Sequence, residues 1–294
     1  MRVLVTGANG MLGLDLCPML ERAGHQVVRT DVSVREGQTV PLWESLDITN
    51  TAAVLQLILK HQPDAVIHGA AYTDVDGCTR DPDLAYRVNG LGTWNIASVC
   101  GAHNIALFYI STDFVFDGAK TTPYTEFDTP NPLSPYGASK LAGERFVAQL
   151  CRKHFILRTS WLFGVHGKSF PATMINLAKT RSELNIVCDQ IGSPTHTVDL
   201  AHTAISLLES PLYGTYHVTN SGHCSWFDLA TRTLELAGAK DTVVKPMPAA
   251  QWPSPTIRPP YSVLRHYSLE LQGRDNLPPW QRALEEFMAL RAKL

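Results

Sequence analysis

The chain has 294 residues, a formal net charge of −2, 45% hydrophobic residues and 18% charged residues. This length and apolar fraction suit a sizeable core with a smaller lobe and exclude a disordered chain. The near-neutral charge, without any basic run, excludes an electrostatic binder of nucleic acid or membrane surface, and no apolar run approaches the roughly 20 residues that span a bilayer.

The chain opens directly on a short apolar run at residues 3–6, which reads as a strand, with no charged region before a long apolar stretch; no secretory leader is expected. Residues 11–23 read as a helix and 26–30 as a second strand. Helical spacing returns at 51–61, a strand at 65–68, mostly helix at 82–103 and a strand at 106–110. Residues 136–150 form a helix and 155–159 again a strand. This alternation predicts an α/β fold, a doubly wound parallel sheet of Rossmann type, because right-handed crossovers put helices on both faces.

The rest is less regular. Residues 173–181, 197–209, 226–237 and 280–292 have helical spacing, and 246–260 is a proline-rich loop. A smaller C-terminal substrate lobe, interleaved with the sheet domain, is therefore expected. Residues 1–160, with 186–220, are assigned to the dinucleotide-binding part, and 161–185 with 221–294 to the lobe. Cysteines 17, 78, 100, 151, 188 and 224 form no Cys-x-x-Cys pair, which argues for reduced thiols in a cytoplasm rather than zinc or redox motifs.

Between the first strand and helix lies Thr6-Gly7-Ala8-Asn9-Gly10-Met11-Leu12-Gly13. Gly7 allows a tight turn, and Gly10 removes a side chain where a pyrophosphate approaches. Gly13 lets the helix pack close, while the helix N-terminus offers N–H groups to phosphate. The spacing is one residue longer than Gly-x-Gly-x-x-Gly. Asp31, 18 residues after Gly13, can accept hydrogen bonds from both ribose hydroxyls of NAD and repels the 2′-phosphate of NADP. Cofactor choice therefore leans to NADH, with Arg29 and Arg35 near enough in sequence to soften the exclusion. Asp47-Ile48 either flanks the adenine or supplies, through Asp47, the cap of the next helix; the chain leaves both open.

Tyr136-Gly137-Ala138-Ser139-Lys140 opens a helix, so Tyr136 and Lys140 project from one face. An ammonium beside a phenol makes it more acidic, fitting Tyr136 to give a proton to a carbonyl or take one from an alcohol. Ser111-Thr112-Asp113 follows the strand ending at 110, on the side where parallel sheets bind ligands, and Thr112 can hold a substrate oxygen against Tyr136. Tyr-x-x-x-Lys alone is common on solvated helices. Its combination with the glycine turn and Ser-Thr-Asp points to redox chemistry.

These segments, together with 70–76, 158–164 (Arg-Thr-Ser-Trp-Leu-Phe-Gly), 189–195 (Asp-Gln-Ile-Gly-Ser-Pro-Thr) and 214–218, resemble the extended short-chain dehydrogenase/reductase family. Within it they are similar to the dTDP-4-dehydrorhamnose reductases over nearly the whole chain. The resemblance implies reduction by NADPH or NADH of the C4 keto group of dTDP-4-dehydro-6-deoxy-L-mannose, in dTDP-L-rhamnose biosynthesis. It makes Tyr136 the general acid, Lys140 its activator and ribose ligand, and Thr112 the third catalytic member. It lines the cofactor with Gly10, Met11, Leu12, Asp31, Asp47, Ile48, Ala71, Tyr72 and Thr73, and sets Thr112, Asp113 and Trp161 against the sugar nucleotide. Arg258 becomes a candidate for the diphosphate, which a guanidinium binds bidentately.

Some members carry Mg2+ at a dimer contact; no metal ligands are located in this sequence, and a homodimer is compatible with it. Phe114 stands where the family usually has Tyr, and Gly69 where it has Asn or Cys. Two other functions fit the scaffold. One is a sugar-nucleotide epimerase or 4,6-dehydratase, the latter disfavoured because Phe114 occupies the place of its extra acid. The other is a non-catalytic regulatory subunit similar to the methionine adenosyltransferase beta subunit, against which the intact Thr112, Tyr136 and Lys140 speak.

Overall fold

The computed structural model describes residues 1–32 and 43–293. In chain order, β1 (Arg2–Thr6), α1 (Met11–Arg22), β2 (Gln26–Asp31), β3 (Trp43–Ser45), α2 (Thr51–His61) and β4 (Ala65–His68) come first. Then follow α3 (Val75–Arg80), α4 (Pro82–Ala85), a π-helical segment (Tyr86–Gly92), α5 (Thr93–Ala102), β5 (Ala106–Thr112), α6 (Pro135–Leu150) and β6 (His154–Thr159). The remainder holds β7 (Leu162–Phe163), α7 (Phe170–Ala178), β8 (Glu183–Val187), β9 (Ile191–Gly192), β10 (Thr195–His196), α8 (Thr197–Leu207) and β11 (Gly214–His217). It ends with β12 (Cys224–Ser225), α9 (Trp226–Leu236), β13 (Val243–Met247), α10 (Tyr267–Leu271) and α11 (Trp280–Arg291).

Seven strands make one parallel sheet in the order β3-β2-β1-β4-β5-β6-β11. Successive residues of each central strand feed opposite layers, as the pleat requires. Val3, Val5, Ile67 and Phe108 pack with Leu16 and Leu20 of α1 and Leu200 and Ala204 of α8. Leu4, Val66, Leu107 and Tyr109 pack with Val54 and Ile58 of α2, Ile96 of α5 and Val147 of α6. Because both faces are buried, these strands are continuous apolar runs rather than alternating ones. The chain runs outward from β1 to β3, then returns to β4 on the other side of β1. That reversal opens a crevice beyond the carboxyl ends of β1 and β4.

The lobe is held by Phe163, Leu229, Trp280, Leu284 and Phe287, and by Met174, Leu184, Ala230 and Leu234. The structure differs from the sequence expectations in several places. The strand expected at 106–110 continues through Thr112, which keeps its pairing with Thr159. The helix expected over 82–103 is broken by the π-helical segment. The helix expected at 173–181 starts earlier, at Phe170, with Pro171 in its first turn, where a missing N–H costs nothing. The loop expected from 246 begins inside β13, which pairs in parallel with β8. Among the described residues no helix is long and apolar enough to cross a membrane.

Candidate active site

The crevice is a cleft of about 830 Å3. Every residue that the sequence nominated for cofactor, catalysis or substrate lines it, from Gly7 to Arg258. Gly7 has φ +71°, and a Cβ there would stand 2.7 Å from the Ala70 backbone nitrogen. A Cβ on Gly13 would stand 2.5 Å from the Gly7 carbonyl oxygen and 2.6 Å from Ala8 Cα, so α1 can lie this close to the turn only with glycine. Gly10 caps α1 without a side-chain hydrogen bond, unlike Asn50 on α2 and Ser134 on α6. The first N–H groups of α1, beside Met11 and Leu12, thus face the cleft with no side-chain partner from the cap. The bare backbone turn and the positive helix end fit a dinucleotide pyrophosphate.

Asp31 closes β2, with its two carboxylate oxygens accepting from the N–H groups of Asn9 (3.0 Å) and Val32 (2.8 Å). Arg29 does not soften this acidic end. It is buried, paired with Glu21 at 2.7 Å, and does not line the cleft. Arg35 lies outside the described residues. Asp47 is not the cap of α2, a role that Asn50 fills by accepting from Ala53 N–H. Asp47 instead accepts from the N–H and hydroxyl of Thr49 while lining the cleft. Ile48 is buried, and its carbonyl accepts from Asn95 at 2.9 Å.

Thr112 ends β5. Ser134 caps α6 through Gly137 N–H and Pro135 sets its first turn, which fixes where Tyr136 and Lys140 emerge. Lys140 is 3% exposed; its Nζ donates to the Ile110 carbonyl at 2.7 Å and lies 4.1 Å from the centre of the Tyr109 ring. The Thr112 hydroxyl donates to Asp113 and accepts from Phe114 N–H. The Phe114 ring meets Tyr136 edge-on, 5.5 Å between centres.

Spacing alone has the ammonium make the phenol more acidic. Burial is the larger effect here. It pushes Tyr136 above its ordinary value, with the Thr112 hydroxyl pulling it down and Asp113 pushing it further up. Burial also pushes Lys140 down to about 7, against the pull of Glu144. Asp113 is raised to about 6 by burial, with the hydroxyls of Ser262 and Thr112 opposing.

Trp161, also lining the cleft, has φ +47°, a conformation that costs a bulky residue energy and concentrates at functional sites. Its indole stacks on Trp226 with centres 3.5 Å apart and planes 7° apart, and covers Gly192. Arg258 is oriented by Asp76 of α3 at 3.0 Å. Sequence reasoning missed Trp226, Gln190 and Lys168, which also line the cleft. It missed Asn89 too. That buried amide accepts from Tyr72 N–H, donates to the Tyr72 carbonyl and donates to Ser139 Oγ, tying the 70–74 loop to the helix of Tyr136. Gln190 lies within the 189–195 segment; the others carry no local signal. Among the described residues no group of three or more His, Cys, Asp or Glu is placed to hold a metal.

The family model described as the RmlD substrate binding domain matches residues 1–292. A dTDP-4-dehydrorhamnose reductase of Streptomyces griseus is 40% identical, over 98% of this chain and 94% of its own. The crystal structure of a dTDP-4-dehydrorhamnose reductase from Clostridium acetobutylicum superposes with TM-score 0.93 at 43% identity, covering 100% of both chains. A dTDP-4-dehydrorhamnose reductase from Bacillus anthracis, solved in complex with NADP, superposes with TM-score 0.92 at 42% identity over 98% of this chain and 99% of its own. The chain belongs to the RmlD family, that of the dTDP-4-dehydrorhamnose reductases.

Proposed function

We propose that this chain reduces the C4 ketone of dTDP-4-dehydro-6-deoxy-L-mannose with a reduced nicotinamide cofactor. The observation that carries the reading is the convergence of Thr112, Tyr136 and Lys140 on the same cleft as the glycine turn and Asp31. The turn at residues 7–13 holds the pyrophosphate, Asp31 the adenine-side ribose, and Ala71, Tyr72 and Thr73 the wall beside the nicotinamide. When bound, the reduced cofactor supplies the hydride. Tyr136, and Thr112 once its hydroxyl turns from Asp113, donate to the carbonyl oxygen and orient it. Burial keeps the phenol protonated until that oxygen becomes basic, and Tyr136 then gives up its proton. The Lys140 ammonium stabilises the phenolate left behind and reaches the nicotinamide-side ribose. Trp161 and Asp113 contact the sugar, and Arg258 the diphosphate. The division into residues 1–160 with 186–220 for the cofactor, and 161–185 with 221–294 for the sugar nucleotide, is part of this reading. So is a reducing, cytoplasmic setting, which suits the unpaired thiols.

The direct test is oxidation of NADH and NADPH by purified protein with the 4-keto sugar nucleotide, followed by absorbance. No oxidation with either cofactor overturns the reading. Asp31 gives the cofactor preference. A carboxylate with both oxygens already accepting from N–H groups, and with Arg29 drawn away to Glu21, repels a 2′-phosphate, so NADH is the better substrate. Asp31→Ser is expected to raise kcat/KM for NADPH relative to NADH about tenfold or more, the size of one removed like-charge contact. An unchanged ratio removes Asp31 from that role.

The indole stack sets substrate affinity. Trp226→Ala removes the platform that holds Trp161, and an aromatic pair is worth about 0.5–1.5 kcal/mol. KM for the sugar nucleotide should rise about two- to tenfold, with kcat and NADH affinity nearly unchanged, as steady-state kinetics will read.

A further inference from the structure

We propose that Glu144 is the buried counter-ion of Lys140, and that Arg158 sets how much of its negative charge the lysine receives. The proposal rests on the role of Lys140 in the reduction described above. Lys140 and Glu144 stand one turn apart on one face of α6, and both are nearly fully buried, at 3% and 4% exposure. Consecutive residues of β5 hold their heads. The Ile110 carbonyl accepts from Lys140 Nζ at 2.7 Å, and Ser111 Oγ donates to Glu144 Oε1 at 2.5 Å. From β6, Arg158 donates through Nε and Nη2 to the two Glu144 oxygens at 2.9 and 2.7 Å.

Among the described residues no other anion addresses this lysine. On β5 the Tyr109 ring lies under the ammonium, and burial pushes its phenol far up, so it stays protonated. On β4, His68 is pushed down to about 3 by burial and by Lys140 itself; it is neutral, with its ring nitrogens on Thr6 and Thr93. Tyr136, on α6, holds its proton. The Asp113 carboxyl is engaged by Thr112 and bears on Tyr136. Behind Arg158 stands His217, pushed well below its ordinary value by burial first and by the Arg158 charge second, and so also neutral. Burial alone favours a neutral Lys140, and Glu144 is the charge that opposes it. A bidentate buried pair such as Arg158–Glu144 is weak as a source of stability, because desolvation offsets its attraction. Here its consequence is a fixed carboxylate one helical turn from a lysine that must stay cationic. Glu144 touches neither substrate nor cofactor and acts through Lys140; it is a positioning residue.

The two ends of the pair make opposite predictions. Glu144→Gln removes the anion and leaves the Arg158 cation, so Lys140 should lose its proton at lower pH. Arg158→Gln leaves the anion unshared, so Lys140 should keep its proton to higher pH. The measurement is a pH titration by NMR of protein with isotope-labelled lysine, the Lys140 signal being the one lost in Lys140→Met. Its midpoint is expected to fall by about 1–2 pH units in Glu144→Gln and to rise by a similar amount in Arg158→Gln. The alkaline limb of kcat/KM, where Lys140 deprotonates, should move with it. Glu144→Asp should restore part of the wild-type midpoint.

A purely structural role gives a different result, because both variants break the same ion pair and would shift the midpoint alike or leave it in place; either outcome overturns the proposal. Should Glu144→Gln fail to fold, Arg158→Gln decides alone: a raised midpoint supports the proposal and an unmoved one rejects it. Failure of the reductase reading shows separately, as a wild-type protein that turns over no 4-keto sugar nucleotide while its Lys140 midpoint still responds to Glu144.

Discussion

Tyr136→Phe is expected to lower kcat about a thousandfold while leaving the affinities for NADH and sugar nucleotide within a factor of about three. A positioned general acid contributes roughly 10²–10⁴-fold, and a thousandfold loss corresponds to about 4 kcal/mol of lost transition-state stabilisation. The phenol has no substitute. Thr112 is a poor acid, and its hydroxyl is already shared between Asp113 and Phe114 N–H. The neighbour at the ring edge is Phe114, which brings no hydroxyl of its own. That contact is apolar, so a phenylalanine at 136 keeps its packing and the fold is not disturbed. The experiment is steady-state kinetics with a parallel NADH-binding titration. A variant that retains a tenth or more of the wild-type kcat removes Tyr136 from the role of acid. Loss of both binding and turnover would instead place the residue among the ligands that hold the sugar.

The same residues show what the sequence could and could not tell. The strands that frame the crevice were legible because each is buried on two sides. Val3-Leu4-Val5 and Ala65-Val66-Ile67 are apolar at every position, and such runs between helical segments have few other readings. The glycine turn was legible because it sits between a strand and a helix, where Gly7 and Gly13 meet backbone atoms that no side chain could displace. Tyr136 and Lys140 were legible by their spacing on one helix. Contacts between distant segments were not. Asn89 looks like any polar residue inside a helix, and a π-helical segment has the composition of an ordinary one; its three hydrogen bonds appear only when α6 and the 70–74 loop are brought together. Trp226 opens a helix, and only the fold stacks it on Trp161. Arg29 was misread for a related reason: sequence distance placed it near Asp31, and α1 then claimed it through Glu21. The β8–β13 ribbon was missed because its second strand carries Lys245 and Pro246, tolerable only in an exposed pair.

Electrostatics was the part the chain alone judged least well. Spacing shows that a phenol and an amine share a helix face, but not how dry that face is. In the folded protein Lys140 is driven down to about 7 while Tyr136 is driven up. Of these two groups the ammonium is therefore the one whose protonation changes near neutrality, being cationic below that value and neutral above it. A fall in activity on the alkaline side reports loss of the lysine's proton before loss of the tyrosine's. In the proposed reduction the acid and its helper thus divide the work, the phenol holding the proton to be given and the lysine holding the charge that makes giving it favourable.

Substitutions in the glycine turn separate cofactor binding from folding. Gly13→Val is expected to weaken NADH binding about a hundredfold or more and to lower Tm by several degrees. Its Cβ would lie 2.5–2.7 Å from Gly7 O, Ala8 Cα and Ala8 O, all backbone atoms. They cannot retreat, because the Gly7 turn is itself pressed against Ala70 and Gly69. α1 must move instead, pulling Leu16 and Leu20 from the core they share with β1 and α8. Overpacking of this kind costs about 1–3 kcal/mol, which shifts Tm by roughly 2–4 °C per kcal/mol in a chain of this size. Gly10→Ala is the contrasting case. Gly10 has φ −73°, ordinary for alanine, and its Cβ meets only Gly7 O, at 3.1 Å. The added methyl would stand at the cleft lining, where the proposed pyrophosphate site meets the helix end. Its Tm should therefore stay within about 2 °C of wild type, while NADH affinity falls at least tenfold in a fluorescence titration. If Gly10→Ala binds NADH as wild type does, the pyrophosphate does not lie against this turn, and the cofactor enters the cleft in some other way.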